Sequence, residues 1–339
     1  MNNSPYFLKP ASVQSVMLRV LIALIPGIAV YVWFFGAAVL VQIALASVTA
    51  LLAEAAMLKL RGKPVAMFLA DGSALVTAWL IALTFPPIAP WWLTVVGVLT
   101  AIVVAKHLYG GLGQNPFNPA MVAFAMMIVA YPSLMSQWPA VGFTEFLPQW
   151  NAIFGQRQLD AITMATPLDA LRTALHTADA RATVAGVLGS SASFGNIGGK
   201  GWEWVAAGYF IGGIYLLQQR IITWHMPAAF LATLFVISGG FALYDPTRFV
   251  GPSFHLFTGG AMLGAFFIVT DPVSGCTTPR GKLIFAAGIG ILTWVIRTFG
   301  AYPDGIAFAV LLMNIAAPLI DMNTQPPVFG HKRKGDGAS

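Results

Sequence analysis

The sequence predicts an all-α integral membrane protein, because its composition and its hydropathy pattern both indicate that lipid is its main solvent. Of the 339 residues, 58% are hydrophobic and only 9% are charged, whereas an average soluble domain is about 25% charged. The 18 basic and 12 acidic side chains cannot cover a water-facing surface around this much apolar material. This balance excludes an ordinary soluble enzyme, a disordered chain and a nucleic-acid-binding module.

Ten apolar windows predict about ten transmembrane helices. A membrane-spanning helix needs about 20 mostly apolar residues, and it satisfies its backbone hydrogen bonds internally. The windows are 20–36, 38–58, 68–85, 91–106, 119–136, 202–218, 222–243, 254–270, 282–298 and 302–320.

The basic residues orient these helices, because short cytoplasmic loops carry an excess of Lys and Arg. With the N-terminus inside, twelve of the 18 basic residues fall on the cytoplasmic side and two on short loops of the other side. The cytoplasmic set is Lys9, Arg19, Lys59, Arg61, Lys63, Lys106, Arg220, Arg280, Lys282, Lys332, Arg333 and Lys334, and the other two are Arg248 and Arg297. We therefore predict cytoplasmic N- and C-termini in a bacterial inner membrane, and the net charge of +6 needs no nucleic-acid partner.

The two halves of the chain resemble each other at an offset near 186 residues. Ile25–Ile28 corresponds to Ile211–Ile214, and Thr84 corresponds to Thr270. An odd number of helices per copy would invert the second copy, which gives two inverted five-helix repeats around a midplane pathway or binding site.

This duplication divides the chain into four parts. The first transmembrane repeat is 1–136, a long loop follows at 137–201, the second repeat is 202–321, and 322–339 forms a cytoplasmic tail. The loop lies on the periplasmic side in the predicted orientation, and a loop of this length is usually functional.

Metal chemistry is not predicted. The single cysteine, Cys276, excludes a disulfide framework and a cysteine-based metal cluster. The five histidines are scattered without the spacing of a metal-ligand pair. We therefore predict no metal site.

Thr166 is the predicted start of a short helix in the long loop. Thr166, Pro167 and Asp169 fit the N-cap, the first and the third helical positions, and Leu171 and Leu175 give the helix an apolar face. A phosphate attached to Thr166 would also be stabilised there, because free N–H groups and the helix dipole favour negative charge. The same residues therefore fit a structural cap and a phosphoester site.

The motif Asp160-x-x-Thr163-x-Ala165-Thr166 resembles the flavinylation motif Asp-x-x-[Ser/Thr]-Gly-Ala-Thr. That motif marks a family of membrane subunits that includes RnfD (also called RsxD) and NqrB, which belong to ion-translocating electron-transport complexes. Three Gly-, Pro- or Asn-containing blocks extend the resemblance over nearly the whole chain. They are 71–77, 106–120 and 270–281. The length of the chain favours the RnfD type over the NqrB type.

The resemblance implies two flavins and several partners. A flavin transferase would join FMN through its phosphate to Thr166, with Asp160, Thr163 and Ala165 completing the recognition motif. A second flavin, riboflavin, would bind noncovalently in the membrane part, and the other subunits of an Rnf-type complex would surround the chain in the lipid bilayer. Met164 replaces the usual motif glycine, a departure that bears on recognition by the transferase.

Acidic residues near the spans are candidates for an ion path. Placing a carboxylate in a membrane costs free energy, so such residues usually have a functional role. Glu54 and Asp71 are the preferred candidates, and Asp271 either serves an ion path or caps a turn. The glycine- and asparagine-rich stretch 110–119 fits either a broken segment that lines a cofactor or ion site, or a structured interfacial loop.

Two functions from different classes remain. The first is a subunit of an Rnf-type ion-translocating oxidoreductase complex that passes electrons through covalent FMN and couples their transfer to Na⁺ or H⁺ movement. The second is a plain channel or secondary transporter, which an inverted repeat suits equally well. An NqrB-type subunit of a sodium-pumping quinone reductase is a variant of the first. The motif at Thr166 favours the first function, because a channel needs no flavinylation sequence.

Overall fold

Helices dominate the structure, which is a computed structural model that describes residues 12–157, 159, 162–177, 183–190, 193–302 and 304–325. In the first half, helices α1 to α6 are Val13–Phe35, Ala38–Leu60, Val65–Leu69, Ser73–Thr84, Trp91–Leu99 and Pro119–Ala130, and α5 continues as a π-helix over Thr100–His107. Helix α7, Pro132–Met135, ends just before the loop. The loop contains α8 to α10, which are Phe146–Phe154, Pro167–Thr177 and Val184–Ser190, and strands β1 and β2, which are Trp138–Pro139 and Thr163–Met164. In the second half, α11 to α16 are Trp202–Gln218, His225–Tyr244, Pro252–Phe257, Ala261–Leu263, Pro279–Phe299 and Ile306–Thr324, and α14 continues as a π-helix over Gly264–Ile268.

Five helices of the described chain are long and apolar enough to cross a membrane, namely α1, α2, α12, α15 and α16. Helix α4, helix α5 with its π-helical continuation, and helix α6 are apolar but shorter. The chain is therefore a multi-pass membrane protein. The ten crossings, the inverted repeat and the side of each loop stay predictions.

Two predicted windows are broken rather than continuous helices. The window 68–85 is interrupted at Gly72, where φ is +78°, and the window 254–270 is interrupted at Gly259, where φ is +60°. These left-handed backbone conformations are available to glycine without the steric penalty that a Cβ would bring. In both windows the break separates a short helix from the apolar helix that follows it, α3 from α4 and α13 from α14.

Helix starts at the two long Gly/Pro-rich blocks follow from local capping. The Asn118 side chain accepts hydrogen bonds from the N–H groups of Ala120 and Met121, and a proline occupies the first position of α6. The Thr278 hydroxyl accepts from the Gly281 N–H at 2.9 Å, again with proline at the first position of α15. Proline suits this position because an N–H group at the start of a helix has no partner within the helix, so the lack of one in proline removes no helical hydrogen bond.

Helices α1 and α11 bring the two halves together through glycine contacts. A Cβ on Gly208 would lie 2.8 Å from the Cα of Gly27, and a Cβ on Gly212 would overlap the carbonyl oxygen of Ala23. The absence of side chains at these glycines allows the two backbones to touch. Membrane helices associate in this way because close packing replaces the hydrophobic effect between them.

The long loop is fastened to the helical part at two places. Helix α8 inserts the fully buried Gln149, whose side chain accepts from the Ala38 N–H and donates to the carbonyls of Phe35 and Phe143 at 2.8–2.9 Å. Helices α9 and α10 form a second small core against the start of α13. Strands β1 and β2 pair antiparallel, with Trp138 opposite Met164.

Candidate functional site

Thr166 caps α9, as the sequence predicts. Its hydroxyl accepts the N–H of Asp169 at 3.2 Å, and its carbonyl accepts the N–H of Ala170 at 2.8 Å. Leu168 and Leu171 are buried and anchor the helix in the loop core. The half-buried Thr166 side chain therefore stands at the N-terminal end of an anchored helix, where the helix dipole favours an anion.

The rest of the motif is a short extended segment ahead of this helix. The Thr163 hydroxyl donates to the Leu159 carbonyl at 2.9 Å, and the carbonyl of the exposed Ala165 accepts from Ser193 at 3.3 Å. Met164 lies in strand β2 with an ordinary extended backbone. The position of the usual motif glycine thus requires no glycine conformation in this chain. Asp160 lies outside the described residues.

Thr166 lines a cleft between the two halves of the chain, which we call the loop-side cleft. Its walls are mostly apolar. Thr166, Pro167 and Leu168 contribute from the loop, whereas α1, α4, α6, α11, α14 and α16 contribute from the helical part. The motif threonine is therefore at the edge of a mostly apolar cleft between the two halves.

Aromatic side chains form one wall of the loop-side cleft. Trp202 packs edge-on against Tyr31 at 5.7 Å and against Trp138 at 5.3 Å between ring centroids. Tyr209 and Phe124 line the same cleft. Such flat, rigid surfaces are typical of sites that hold a planar conjugated ring.

A buried ion pair lies beside this cleft. Arg297 in α15 places its Nη2 atom 3.2 Å from Oδ1 of Asp304, and its side chain is fully buried. The same guanidinium donates to the carbonyls of His255 and Thr258, and Asp304 also accepts the Gly260 N–H at 2.7 Å. This network fixes the break before α14 and the start of α16. Both ends of that junction line the loop-side cleft.

A second cleft, which we call the opposite cleft, lies at the other end of the same helices. Its polar lining consists of Ser73, Thr77, Lys106, Asn115, Asn118, Thr270 and Asp271. Helix α4 connects the two clefts, because its first residues line the opposite cleft and its last residues line the loop-side cleft. The eleven-residue rise from Ser73 to Thr84 is about 16 Å at 1.5 Å per residue.

Glu54, predicted as an ion-path residue, is 3% exposed and is held by Lys106 and His107 of its own chain. Lys106 Nζ lies 2.9 Å from both carboxylate oxygens, and His107 Nε2 lies 3.2 Å from Oε2. Arg61 then contacts the other ring nitrogen of His107 at 3.2 Å. Lys106, which the sequence places in a cytoplasmic basic cluster, thus neutralises a buried carboxylate.

The other two predicted acidic residues have different surroundings. Asp71 accepts the Ser73 N–H at 2.7 Å and so caps α4 after the break at Gly72. Asp271 accepts from the Ser274 hydroxyl at 2.6 Å and lines the opposite cleft. The three carboxylates therefore do not form one cluster, although Lys106 and Asp271 share a cleft.

Sequence reasoning missed the polar link between the halves at Asn314. Its amide oxygen accepts the Asn118 N–H at 3.2 Å, and its amide nitrogen donates to the Ser274 carbonyl at 2.9 Å. An asparagine within an apolar helix was the available signal, because a polar group at that depth needs partners.

The charge count also needs correction at two positions. Lys106 and Arg297 are counted as loop residues by sequence, yet each is buried and paired with a carboxylate. A paired buried cation does not report which side of the membrane a loop occupies. Removing one residue from each side leaves the bias toward the predicted cytoplasmic side unchanged in direction.

Comparison with known proteins gives a consistent result. The family model described as the NQR2, RnfD, RnfE family matches residues 1–330. The chain is 48% identical over 339 residues to a protein of Alcanivorax borkumensis, and the match covers 100% of this chain and 98% of that protein. Proteins of Aliivibrio salmonicida and Escherichia coli are 47% and 46% identical, each with 98% of both chains covered. All three are named as the D-type subunit of an ion-translocating oxidoreductase complex.

These matches confirm the resemblance inferred from the motif and the three sequence blocks. They extend over essentially the full length of both partners, so they concern the whole chain and not one segment. The chain belongs to the NQR2, RnfD, RnfE family.

Proposed function

We propose that this chain is the D-type subunit of an Rnf-type ion-translocating oxidoreductase complex and carries FMN on Thr166 through a phosphoester. One observation carries the proposal. The last threonine of a flavinylation-like motif caps an anchored helix at the rim of a large aromatic cleft. The relatives named above are subunits of such a complex, and their names support the same function for this chain.

The residues at the site fit the phosphate and the ring of FMN. The N-terminus of α9 favours the negative charge of a phosphodiester at Thr166. The loop-side cleft has the aromatic wall and the few polar groups that ring-binding sites have. The hydroxyls of Tyr31 and Tyr209 are buried in this cleft without a hydrogen-bond partner in the described part of the chain.

The residues of the chain would have three tasks at this site. Thr166 Oγ1 supplies the ester oxygen, and α9 holds that oxygen in place because Leu168 is buried in the loop core. Trp138 and Trp202 shield the cleft from water on the loop side. The flavin supplies the electron-transfer chemistry when bound, while the protein positions and tunes it.

The opposite cleft is our candidate for a noncovalent riboflavin. Amide groups of Asn115 and Asn118 and the carboxylate of Asp271 are among the polar groups that line this mostly apolar cleft. These groups match the hydroxyls and ring amides of riboflavin, which has no phosphate. Two flavins in the two clefts would stand at opposite ends of α4.

We further propose that the two halves are inverted repeats that place ten helical segments across the membrane. Helices α1 to α6 and α11 to α16 begin 187 to 189 residues apart, from 13 and 202 for the first pair to 119 and 306 for the last. The Asn118 side chain accepts the N–H two residues ahead, and Asp304 does the same at the matching position. Thr84 and Thr270 both donate to the carbonyl four residues back. These pairs support a common ancestry of the halves.

The same proposal places the long loop on the periplasmic side of the inner membrane and both termini in the cytoplasm. Coupling to Na⁺ or H⁺ movement follows from the proposed complex. Of the three candidate carboxylates, Asp271 is the one that lines the opposite cleft. Glu54 would first have to release Lys106. Asp71 would first have to release the N-terminus of α4.

The attachment is tested by in-gel ultraviolet fluorescence after denaturation of the full chain, produced together with its flavin transferase. We expect fluorescence for the wild type and none for Thr166→Ala. Thr166→Asn retains a side chain that caps helices well but cannot form the ester, so it should also lack fluorescence. Thr183→Ala is the matched control, because Thr183 caps the neighbouring α10 through the Gly186 N–H and lies outside the motif.

The outcomes separate the function from the site. A wild-type chain without covalent flavin would contradict the proposed function and favour the channel or transporter. Fluorescence that survives Thr166→Ala would contradict the attachment residue alone. Loss of fluorescence in Thr183→Ala would mean that any disruption of the loop prevents attachment.

A further inference from the structure

Two tyrosines in the loop-side cleft are unusual because their hydroxyls are buried and unpaired. Tyr31 is 2% exposed and Tyr209 is 5% exposed, and both line the cleft together with Thr166. Within the part of the chain that the structure describes, neither hydroxyl has a hydrogen-bond partner. Most buried polar side-chain atoms have such a partner, so each exception calls for an explanation.

The two side chains are neighbours across the contact between α1 and α11. The Tyr209 ring lies directly against Gly27, so closely that a Cβ on this glycine would overlap the ring. Tyr31 follows Gly27 by one helical turn on the same face of α1. The glycine contact that joins the two halves therefore also brings the two tyrosines together.

Packing alone does not account for the hydroxyls. The ring contacts of Tyr31 with Trp202 and of Tyr209 with Phe267 would be the same for phenylalanine. A buried hydroxyl without a hydrogen-bond partner is energetically unfavourable. The two hydroxyls thus need an acceptor that the described part of the chain does not supply.

Two other polar side chains of the cleft, Thr84 and Asp304, already have partners within the chain. The Thr84 hydroxyl donates to the Leu80 carbonyl at 2.8 Å. Asp304 pairs with Arg297 and accepts the Gly260 N–H. An acceptor carried by a bound ligand would satisfy the tyrosine hydroxyls, and the aromatic walls around them fit a planar ring that carries carbonyl oxygens.

We propose that Tyr31 and Tyr209 are positioning residues that donate hydrogen bonds to acceptor atoms of the flavin ring borne by Thr166. This inference rests on the proposed function, because it needs a flavin on that threonine. The donors would orient the ring in the loop-side cleft. They would also stabilise the reduced ring, whose oxygen and nitrogen acceptors carry more negative charge than those of the oxidised ring.

The test is spectroelectrochemical titration of the covalent flavin in the full chain, isolated within its complex. Tyr31→Phe and Tyr209→Phe keep the ring contacts and remove one donor each. We expect each variant to lower the equilibrium constant for flavin reduction about tenfold, which corresponds to about 30 mV for a two-electron couple. Tyr215→Phe is the matched control, because Tyr215 is on the same helix α11 but does not line either cleft. The flavin reduction potential of this variant should equal that of the wild type.

A second measurement covers variants that fail to fold. Redox-difference infrared spectra of the wild type with isotope-labelled tyrosine should show a phenol C–O band that shifts when the flavin is reduced. Absence of such a band would overturn the proposal, as would unchanged potentials in both variants.

The failures of the two proposals are distinguishable. Covalent fluorescence in the denaturing gel with unchanged potentials in both phenylalanine variants would leave the Thr166 assignment intact and refute the role of the tyrosines. In the phenylalanine variants, shifted signals of a noncovalently bound quinone together with an unchanged flavin potential would also refute it. The tyrosines would then donate to that quinone and not to the flavin. A wild-type chain without covalent flavin would refute the proposed function itself.

Discussion

Lys106 and Glu54 form a buried ion pair in which one ammonium group contacts both carboxylate oxygens at 2.9 Å. Lys106 also donates to the Ser73 hydroxyl at 2.9 Å. This single side chain therefore joins α2, the start of α4 and the π-helix that follows α5. Both charged side chains are less than 5% exposed, so neither can exchange its partner for water.

Removal of Lys106 should destabilise the protein strongly. Lys106→Met leaves the Glu54 carboxylate buried with only His107 nearby, and breaking one partner of a buried pair typically costs about 3–5 kcal/mol. The double variant Lys106→Met/Glu54→Leu removes both charges and should recover much of that loss. Unfolding by denaturant in mild detergent measures both free energies.

The control for this cycle is Lys59→Met, because Lys59 is exposed in the last turn of α2. It should change the free energy of unfolding by less than about 0.5 kcal/mol. A loss of the same small size for Lys106→Met would show that the ion pair does not hold the three elements together.

A methyl group at Gly212 should separate the two halves. Gly212→Ala places its Cβ onto the carbonyl of Ala23, and the backbone of a neighbouring helix cannot move aside as a flexible side chain would. We expect destabilisation of about 1–3 kcal/mol and a lower thermal midpoint in detergent. Gly240→Ala is the control, because nothing lies within 4 Å of its Cβ position on α12. An equal response of both variants would contradict the close contact.

Features that depend only on residues close together in the sequence could be predicted from it. The cap at Thr166 is an example, because its geometry needs only the few residues that follow it. The breaks at Gly72 and Gly259 were hidden, since averaging hydropathy over a window hides one glycine between apolar neighbours. The tyrosine pair could not be predicted at all, because Tyr31 and Tyr209 meet only through the packing of two helices far apart in sequence.

Loss of the Gln149 side chain should release the loop from the helices. Gln149→Leu preserves the approximate volume but leaves the Ala38 N–H and the Phe35 carbonyl without their partner. A buried group that loses its partner costs about 1–3 kcal/mol, so local opening should become more frequent. Hydrogen exchange at the α1–α2 turn and proteolysis within the loop should both accelerate. Asn151→Leu, on the exposed face of the same helix, should leave both rates unchanged, and equal rates in the two variants would exclude the clamp.

Cys276 should be inert toward thiol reagents in the folded protein, which makes the wild-type chain suitable for accessibility mapping. Its side chain is 3% exposed, and burial together with nearby Asp321 raises the pKa of the thiol to about 12. Because the thiolate is the reactive form, labelling by a maleimide should stay slow between about pH 7 and pH 9 and become fast only after denaturation.

Single cysteines introduced at Asn196 and Gln219, both exposed and at opposite ends of α11, then test the proposed orientation in intact cells. An impermeant maleimide should label Asn196→Cys and spare Gln219→Cys. Labelling of Gln219→Cys alone would reverse the sides, and labelling of both would show that α11 does not cross the membrane.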